Sequence, residues 1–363
     1  MVVLLWILLT GTACNSDDGL SREAEERVIS FVTGTVGTRA LPTTSVKKIG
    51  VFGYSHQGLF STTSTTLIPD YFLNKAVIDP AGTGNWSYSG VVKYWPTDDD
   101  IKLSFFAYAP YIDVEDTFIL KPGIISDQGA PTIEYTVPAD IATQIDLMWS
   151  NAFDQVYATN SGRVDFTMNH ALTKVNFAVK LAAAEAGRPY MVTIKELTLQ
   201  NLIGEGTLNL AKTVGDADLW SFVYPADDTG LTAYTYVPGT GLADLTLDAG
   251  DLASTSSYAS LFIGGHSLML IPQILRDQLN GLSTPEVVIK YSYINTYSGE
   301  TIEDEATLKL ATPTLEQWLA GAGVNYQITV SLLEGTEIEF DIEGMLANTP
   351  WVDGGGNLTG DVN

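Results

Sequence analysis

Apolar and polar residues alternate with a period of two along most of this chain, the signature of strands with one face buried. The pattern predicts strands over residues 27–32, 48–54, 103–109, 133–137 and 164–168 in the first half. In the second half it predicts strands over 175–181, 192–199, 206–210, 267–271, 287–293, 326–332 and 337–342. Gly, Pro, Asn, Asp and Ser fill the gaps, as turns require. Helical patterning is scarce. Thr314 to Gly321 fits one or two helical turns, capped by Thr314 and stopped by Gly321, and Ser21 to Arg27 fits another short turn. Many short strands with turns between them predict an all-β fold built of antiparallel sandwiches. The strand patterns separate near His170 to Lys174, which is the expected domain boundary. No internal repeat or low-complexity segment is evident.

One segment breaks the alternation. Val2 to Leu9 is a continuous apolar run, followed by Gly11-Thr12-Ala13 and then Cys14, the chain's single cysteine. The run is shorter than the ~20 residues needed to cross a bilayer. Small residues directly before a cysteine suit signal-peptide cleavage followed by lipid attachment to the thiol, and Asn15-Ser16-Asp17-Asp18 makes a polar start for the mature chain. Residues 1–13 are therefore expected to be a lipoprotein signal peptide, and Cys14 the lipidation site. With that cysteine committed to lipid, no intramolecular disulfide is available, so sheet pairing and core packing must hold the fold together.

Charge narrows the function classes. Lys and Arg total 18 against 43 Asp and Glu, a net charge of −25. Such a surface repels phosphate backbones, so a nucleic-acid partner is not expected. The three histidines, His56, His170 and His266, have no ligand partner at helical or strand spacing, so no metal is expected. His170 reads as a hydrogen-bonded packing residue. Asp98-Asp99-Asp100 and Glu303-Asp304-Glu305 lack the spacing of a calcium loop and read as solvated turns. No Gly-x-Ser-x-Gly elbow or glycine-rich phosphate loop is present, so neither catalysis nor a cofactor is expected. Trp86, Tyr88, Tyr94, Trp95, Tyr108 and Tyr111 lie close in sequence. They fit a sandwich core better than a sugar-binding platform, but the platform leaves a surface-anchored glycan-binding lipoprotein as the alternative reading.

Several motifs, taken in order, resemble the Bacteroidetes fimbrillin family, the subunits of type V pili. They begin with Thr38-Arg39-Ala40 and Gly50-Val51-Phe52-Gly53-Tyr54. Lys93-Tyr94-Trp95-Pro96, Leu103 to Tyr111 and Asp146-Leu147-Met148 follow. Phe166 to Val175, Leu268 to Gln273 and Trp318-Leu319-Ala320-Gly321 complete the set. The resemblance implies two tandem transthyretin-like β-sandwich domains, assigned here to residues 40–172 and 173–363, behind an N-terminal pro-segment at 14–39. It implies export to the outer membrane as a lipoprotein, then cleavage between Arg39 and Ala40 by an arginine-specific protease. Loss of the first strand, Val28-Ile29-Ser30-Phe31-Val32, would open a groove that another pilin subunit fills with its own strand in an extracellular fimbrium. It also implies adhesion to a host or bacterial surface ligand.

The sequence carries the physics of that route. Residues 27–32 are β-branched and aromatic, suited to a buried sheet position. Gly34 to Arg39 is rich in Gly and Thr, as an accessible cleavage loop should be. Arg22 and Arg27 are alternative cut sites, but cutting at either would leave the strand in place. A stalk subunit must also donate a strand. The tail after Ile342 lacks long apolar alternation, which favours a tip or accessory position, unless the last strand, with Ile338, Phe340 and Ile342, is itself the donor.

Overall fold

The computed structural model describes residues 27–33, 47–60, 67, 69–79, 85–111, 120–122, 130–276, 281–333 and 338–347. Strands dominate, and the helical pieces are single turns such as Tyr157–Asn160 and Leu252–Ser256. Each segment predicted from alternation contains a strand, the first over Ser30–Thr33 only and the last over Ile338–Leu346. Thr314 to Gly321 is not helical. Its backbone is committed to extended partners, with Leu275 N donating to Glu316 O and Trp318 N to Gln273 O. Ser21 to Glu26 lies outside the described residues, and Arg27 sits in a turn.

In the first half, a central antiparallel sheet runs in the order Asn169–His170, Met148–Gln155, Ile101–Ala109, Lys48–Gln57, Phe72–Ile78. Its middle strands are buried almost end to end, not on alternate residues. The cause is that both faces are covered. Ile49, Val51, Leu103 and Phe105 face one apolar cluster, which also holds Ile29, Phe31, Val164 and Phe166. Phe52, Tyr54, Phe106 and Tyr108 face the other, which continues into the second half of the chain. The first cluster is roofed by a small sheet ordered Asn85–Trp86, Ser30–Thr33, Arg163–Phe166.

Two larger sheets build the second half. One runs Ala259–Ser260, Thr173–Leu181, Gly323–Leu332, Ile338–Leu346, with Leu268–Leu270 also pairing Thr173–Leu181. The other runs Gly241–Leu242, Thr232–Pro238, Tyr190–Leu202, Glu286–Asn295, Thr301–Lys309, with Leu245–Asp248 also on Tyr190–Leu202. Most ladders are antiparallel. Thr173–Leu181 with Gly323–Leu332, Ser30–Thr33 with Arg163–Phe166, and the short pairing of Thr232–Pro238 with Gly241–Leu242 are parallel.

Strand membership changes sheets between His170 and Thr173. A further sheet crosses that point: Thr132–Thr136 from the first half pairs with Glu205–Asn209 from the second. Side chains join the halves as well. The Trp149 indole donates to Lys212 O at 3.0 Å, and the Trp220 indole donates to Ala171 O at 2.9 Å.

Candidate functional site

The opening strand, Ser30–Thr33, is inserted between two neighbours. On one side it runs parallel to Arg163–Phe166, with Ser30 opposite Arg163 and Phe31 opposite Val164. On the other it pairs antiparallel with Asn85–Trp86, with Phe31 opposite Trp86. The preceding residues continue the second pairing. Val28 bridges Tyr94, Ile29 N donates to Lys93 O, and Trp95 N donates to Arg27 O. This second ladder is interrupted at 88–92, where the chain loops outward. The Tyr88 hydroxyl fills the break: it accepts from Lys93 N at 3.1 Å and donates to Ile29 O at 3.2 Å. Burial raises the pKa of that phenol, so it stays a neutral donor across ordinary pH.

Alternation sets which side chains go inward. Ile29 and Phe31 are each 1% exposed, Val28 and Val32 are half-buried, and Ser30 points out. The Phe31 ring is enclosed by others. It stacks on Phe166 at 5.7 Å and meets Phe72, Tyr88 and Phe105 edge-on at 5.5, 6.0 and 5.7 Å. Burying Ile29 and Phe31 contributes roughly 3–6 kcal/mol together, and each ladder bond adds about 1 kcal/mol. That is enough to hold the strand firmly, and its buried side chains belong to the smaller of the two apolar clusters.

Arg27, the competing cut site, is pinned. Its guanidinium lies over the Tyr157 ring at 4.9 Å and donates to Pro96 O at 3.0 Å. A protease needs such a residue extended and free in its cleft, so this one is a poor substrate as folded. Cys14, Arg22, Arg39 and Ala40 lie outside the described residues.

The closing strand, Ile338–Leu346, is the outer strand of its sheet and pairs with Gly323–Leu332 along its whole length. Phe340 is buried, with its ring 4.8 Å from Tyr291, while Ile338 and Ile342 are half-buried. The aromatic cluster is mostly interior: Trp86, Trp95 and Tyr108 are buried, Tyr88 and Tyr111 half-buried, and Tyr94 alone of the six is exposed. It forms no sugar platform.

His170 is buried, its Nδ1 2.9 Å from Asp146 Oδ1. Asp98-Asp99-Asp100 is an exposed turn. Glu303-Asp304-Glu305 is not a turn; it lies within strand Thr301–Lys309, at the outer edge of its sheet. Among the described residues no cluster of His, Cys, Asp and Glu is arranged to hold a metal ion, and no helix is long and apolar enough to cross a membrane.

Phe72 and Phe166 wall this slot, and no motif in the sequence marks them as doing so. Phe166 was legible as a strand residue. Phe72 was hidden because its strand is broken by Asn74 at φ 45° and by a register shift against Val51 and Gly53.

A family model described as fimbrillin-like matches residues 38–344. The fimbrium subunit Fim1C of Phocaeicola vulgatus is 28% identical over 249 residues, which span 62% of this chain and 62% of that relative. The crystal structure of a fimbrial protein from Bacteroides vulgatus superposes with a TM-score of 0.67 at 19% identity, covering 88% of this chain and 99% of the other. At that identity the likeness is one of fold.

Proposed function

The chain belongs to the fimbrillin-like family, and from that premise we propose that it is an extracellular fimbrium subunit assembled by strand exchange. In this reading the precursor is carried to the outer membrane as a lipoprotein through Cys14. An arginine-specific protease then cuts between Arg39 and Ala40. The segment ahead of the cut leaves, and a strand from a neighbouring subunit takes its place.

The observation that carries the reading is the seating of Ser30–Thr33 between two strands, with Ile29 and Phe31 fully buried. A strand so placed leaves behind two unpaired backbone rows and an apolar trench. Strand addition in trans restores both. The pinned Arg27 supports a cut beyond the strand instead of before it.

The closing strand bears on the subunit's place. Donating Ile338, Phe340 and Ile342 would break nine residue pairs with Gly323–Leu332. That supports a subunit that accepts a strand without giving one, at the tip or as an accessory. The two domains are assigned to 40–172 and 173–363, joined by the shared sheet.

The test is to treat the lipidated precursor with an arginine-specific protease. The proposal expects loss of the segment up to Arg39 and a gain in subunit association, both blocked by Arg39→Ala. Retention of the opening strand after complete cleavage, or unchanged association in Arg39→Ala, would overturn it.

A further inference from the structure

The walls around the opening strand are unequal, and that inequality bears on what can replace it. Of the side chains the strand buries, Phe31 meets the most shaped surface. Phe72, Tyr88, Phe105 and Phe166 surround one ring at centroid distances of 5.5 to 6.0 Å. Three approach edge-on and one is stacked, the arrangements ring quadrupoles favour. Emptied, this box fits a phenyl-sized group and leaves a void around anything smaller. Ile29, two residues earlier on the same face, is an aliphatic side chain buried in the same apolar cluster. Ser30, between them, points outward and asks only for a hydroxyl bond to Gly162 O at 3.1 Å.

Main-chain recognition is concentrated too. Where the second ladder is interrupted, the Tyr88 hydroxyl takes the place of a backbone partner for Ile29 O. The same residue supplies a wall of the box. Any strand lying in this register presents a carbonyl there, whatever its side chain.

We propose that, once vacated, the slot selects a partner subunit's strand by an aliphatic-x-aromatic pattern. The aromatic ring enters the box of Phe72, Tyr88, Phe105 and Phe166, the strand runs parallel to Arg163–Phe166, and Tyr88 grips its main chain irrespective of sequence. This rests on the strand-exchange reading above and specifies the chemistry of the incoming strand.

The test uses the full-length precursor, cleaved by an arginine-specific protease that is then inhibited. Fluorescently labelled synthetic peptides of residues 27–33 are offered to it, and exchange is followed by anisotropy. The wild-type peptide is expected to exchange in. A Phe31→Ala peptide is expected to bind at least about thirtyfold more weakly, the factor that truncating a hot-spot ring gives. A Ser30→Ala peptide loses only the hydroxyl bond and stays within about fivefold. Tyr88→Phe in the protein is expected to weaken the wild-type and Phe31→Ala peptides by the same factor. Binding of the Phe31→Ala peptide within threefold of wild type overturns the aromatic selection while leaving strand exchange standing. Absence of exchange by every peptide overturns the strand-exchange reading and this inference with it.

Discussion

Single residues in this fold answer to neighbours that sit far away in sequence. Gly50 lies inside strand Lys48–Gln57, near its start, where a glycine ordinarily weakens a strand. It is required because the Tyr108 ring crosses directly over it, and any Cβ would meet that ring. Tyr108 is held there by its hydroxyl, which donates to Asn74 Oδ1 at 2.8 Å. Gly50→Ala is therefore expected to expel the ring and cost about 1–3 kcal/mol, as overpacking does. The measure is a lowered midpoint in urea, and an unchanged midpoint would show that the ring relaxes freely. His56 poses a pH question. It is buried, with Nε2 2.8 Å from Ser104 Oγ and 3.7 Å from Asp154 Oδ1. Burial lowers its pKa and outweighs the pull of Asp154; Asp70 adds to that pull and Lys102 opposes it. The folded state thus takes the proton less readily than the unfolded chain. Stability from this group is whole above the unfolded value of about 6.5 and declines as pH falls below it. In His56→Gln the loss of stability between pH 7.5 and pH 5.5 is expected to be smaller than in wild type. Identical losses would mean the imidazole is not resisting its charge.

At the scale of elements, the sequence makes strands legible wherever one face is apolar, and much less so at sheet edges. The alternation in Tyr190–Leu202 and Gly323–Leu332 is plain because each buries one face. Thr301–Lys309 hides because it is an outer strand with most of its residues exposed, and its acidic run reads as a turn. The opening strand is legible as a strand, but its slot is not. Its parallel partner begins only at Arg163, and no local pattern announces a parallel pairing. The acidic run on Thr301–Lys309 has a structural use. Glu303 and Glu305 alternate along the strand on its outward face, and the strand's far side has no sheet partner among the described residues. Charges on such an edge discourage a second molecule from adding to it. Replacing both, Glu303→Val with Glu305→Val, would remove the two charges from that face and put β-branched apolar residues on the edge. Concentration-dependent self-association by light scattering is the expected result. A double variant that stays monodisperse would show that this edge needs no charge to protect it.

The whole molecule raises the question of whether its halves are separable. The chain reads as two sandwiches with a boundary at 172/173, yet one sheet draws Thr132–Thr136 from before that point and Glu205–Asn209 from after it. A fragment of residues 27–172 would keep the opening strand and the whole central sheet. It would lose one of the two partners of Thr132–Thr136, keeping only the short Leu120–Pro122, and would leave the apolar sides of Ile133 and Tyr135, both buried in the intact chain, open to water. It would also break side-chain bonds between the halves. The Trp149 indole and the Asn151 amide both bond to carbonyls in 210–212, outside the fragment. The exposed face of Phe52, Tyr54, Phe106 and Tyr108 adds a hydrophobic loss of roughly 1.5–3 kcal/mol per side chain. Against a net stability of typically ~5–15 kcal/mol, these losses are large enough to unfold the fragment. The expected outcome is that residues 27–172 alone give collapsed amide dispersion by NMR, while the full chain unfolds in one transition, with tryptophan fluorescence and far-UV circular dichroism coincident in urea. A fragment that folds cooperatively, or two resolved transitions in the full chain, would show that the shared sheet is a contact surface between independent domains. If the halves do unfold as one, a strand seated in the first half is linked to the stability of the second, so filling or emptying that slot would register across the whole subunit.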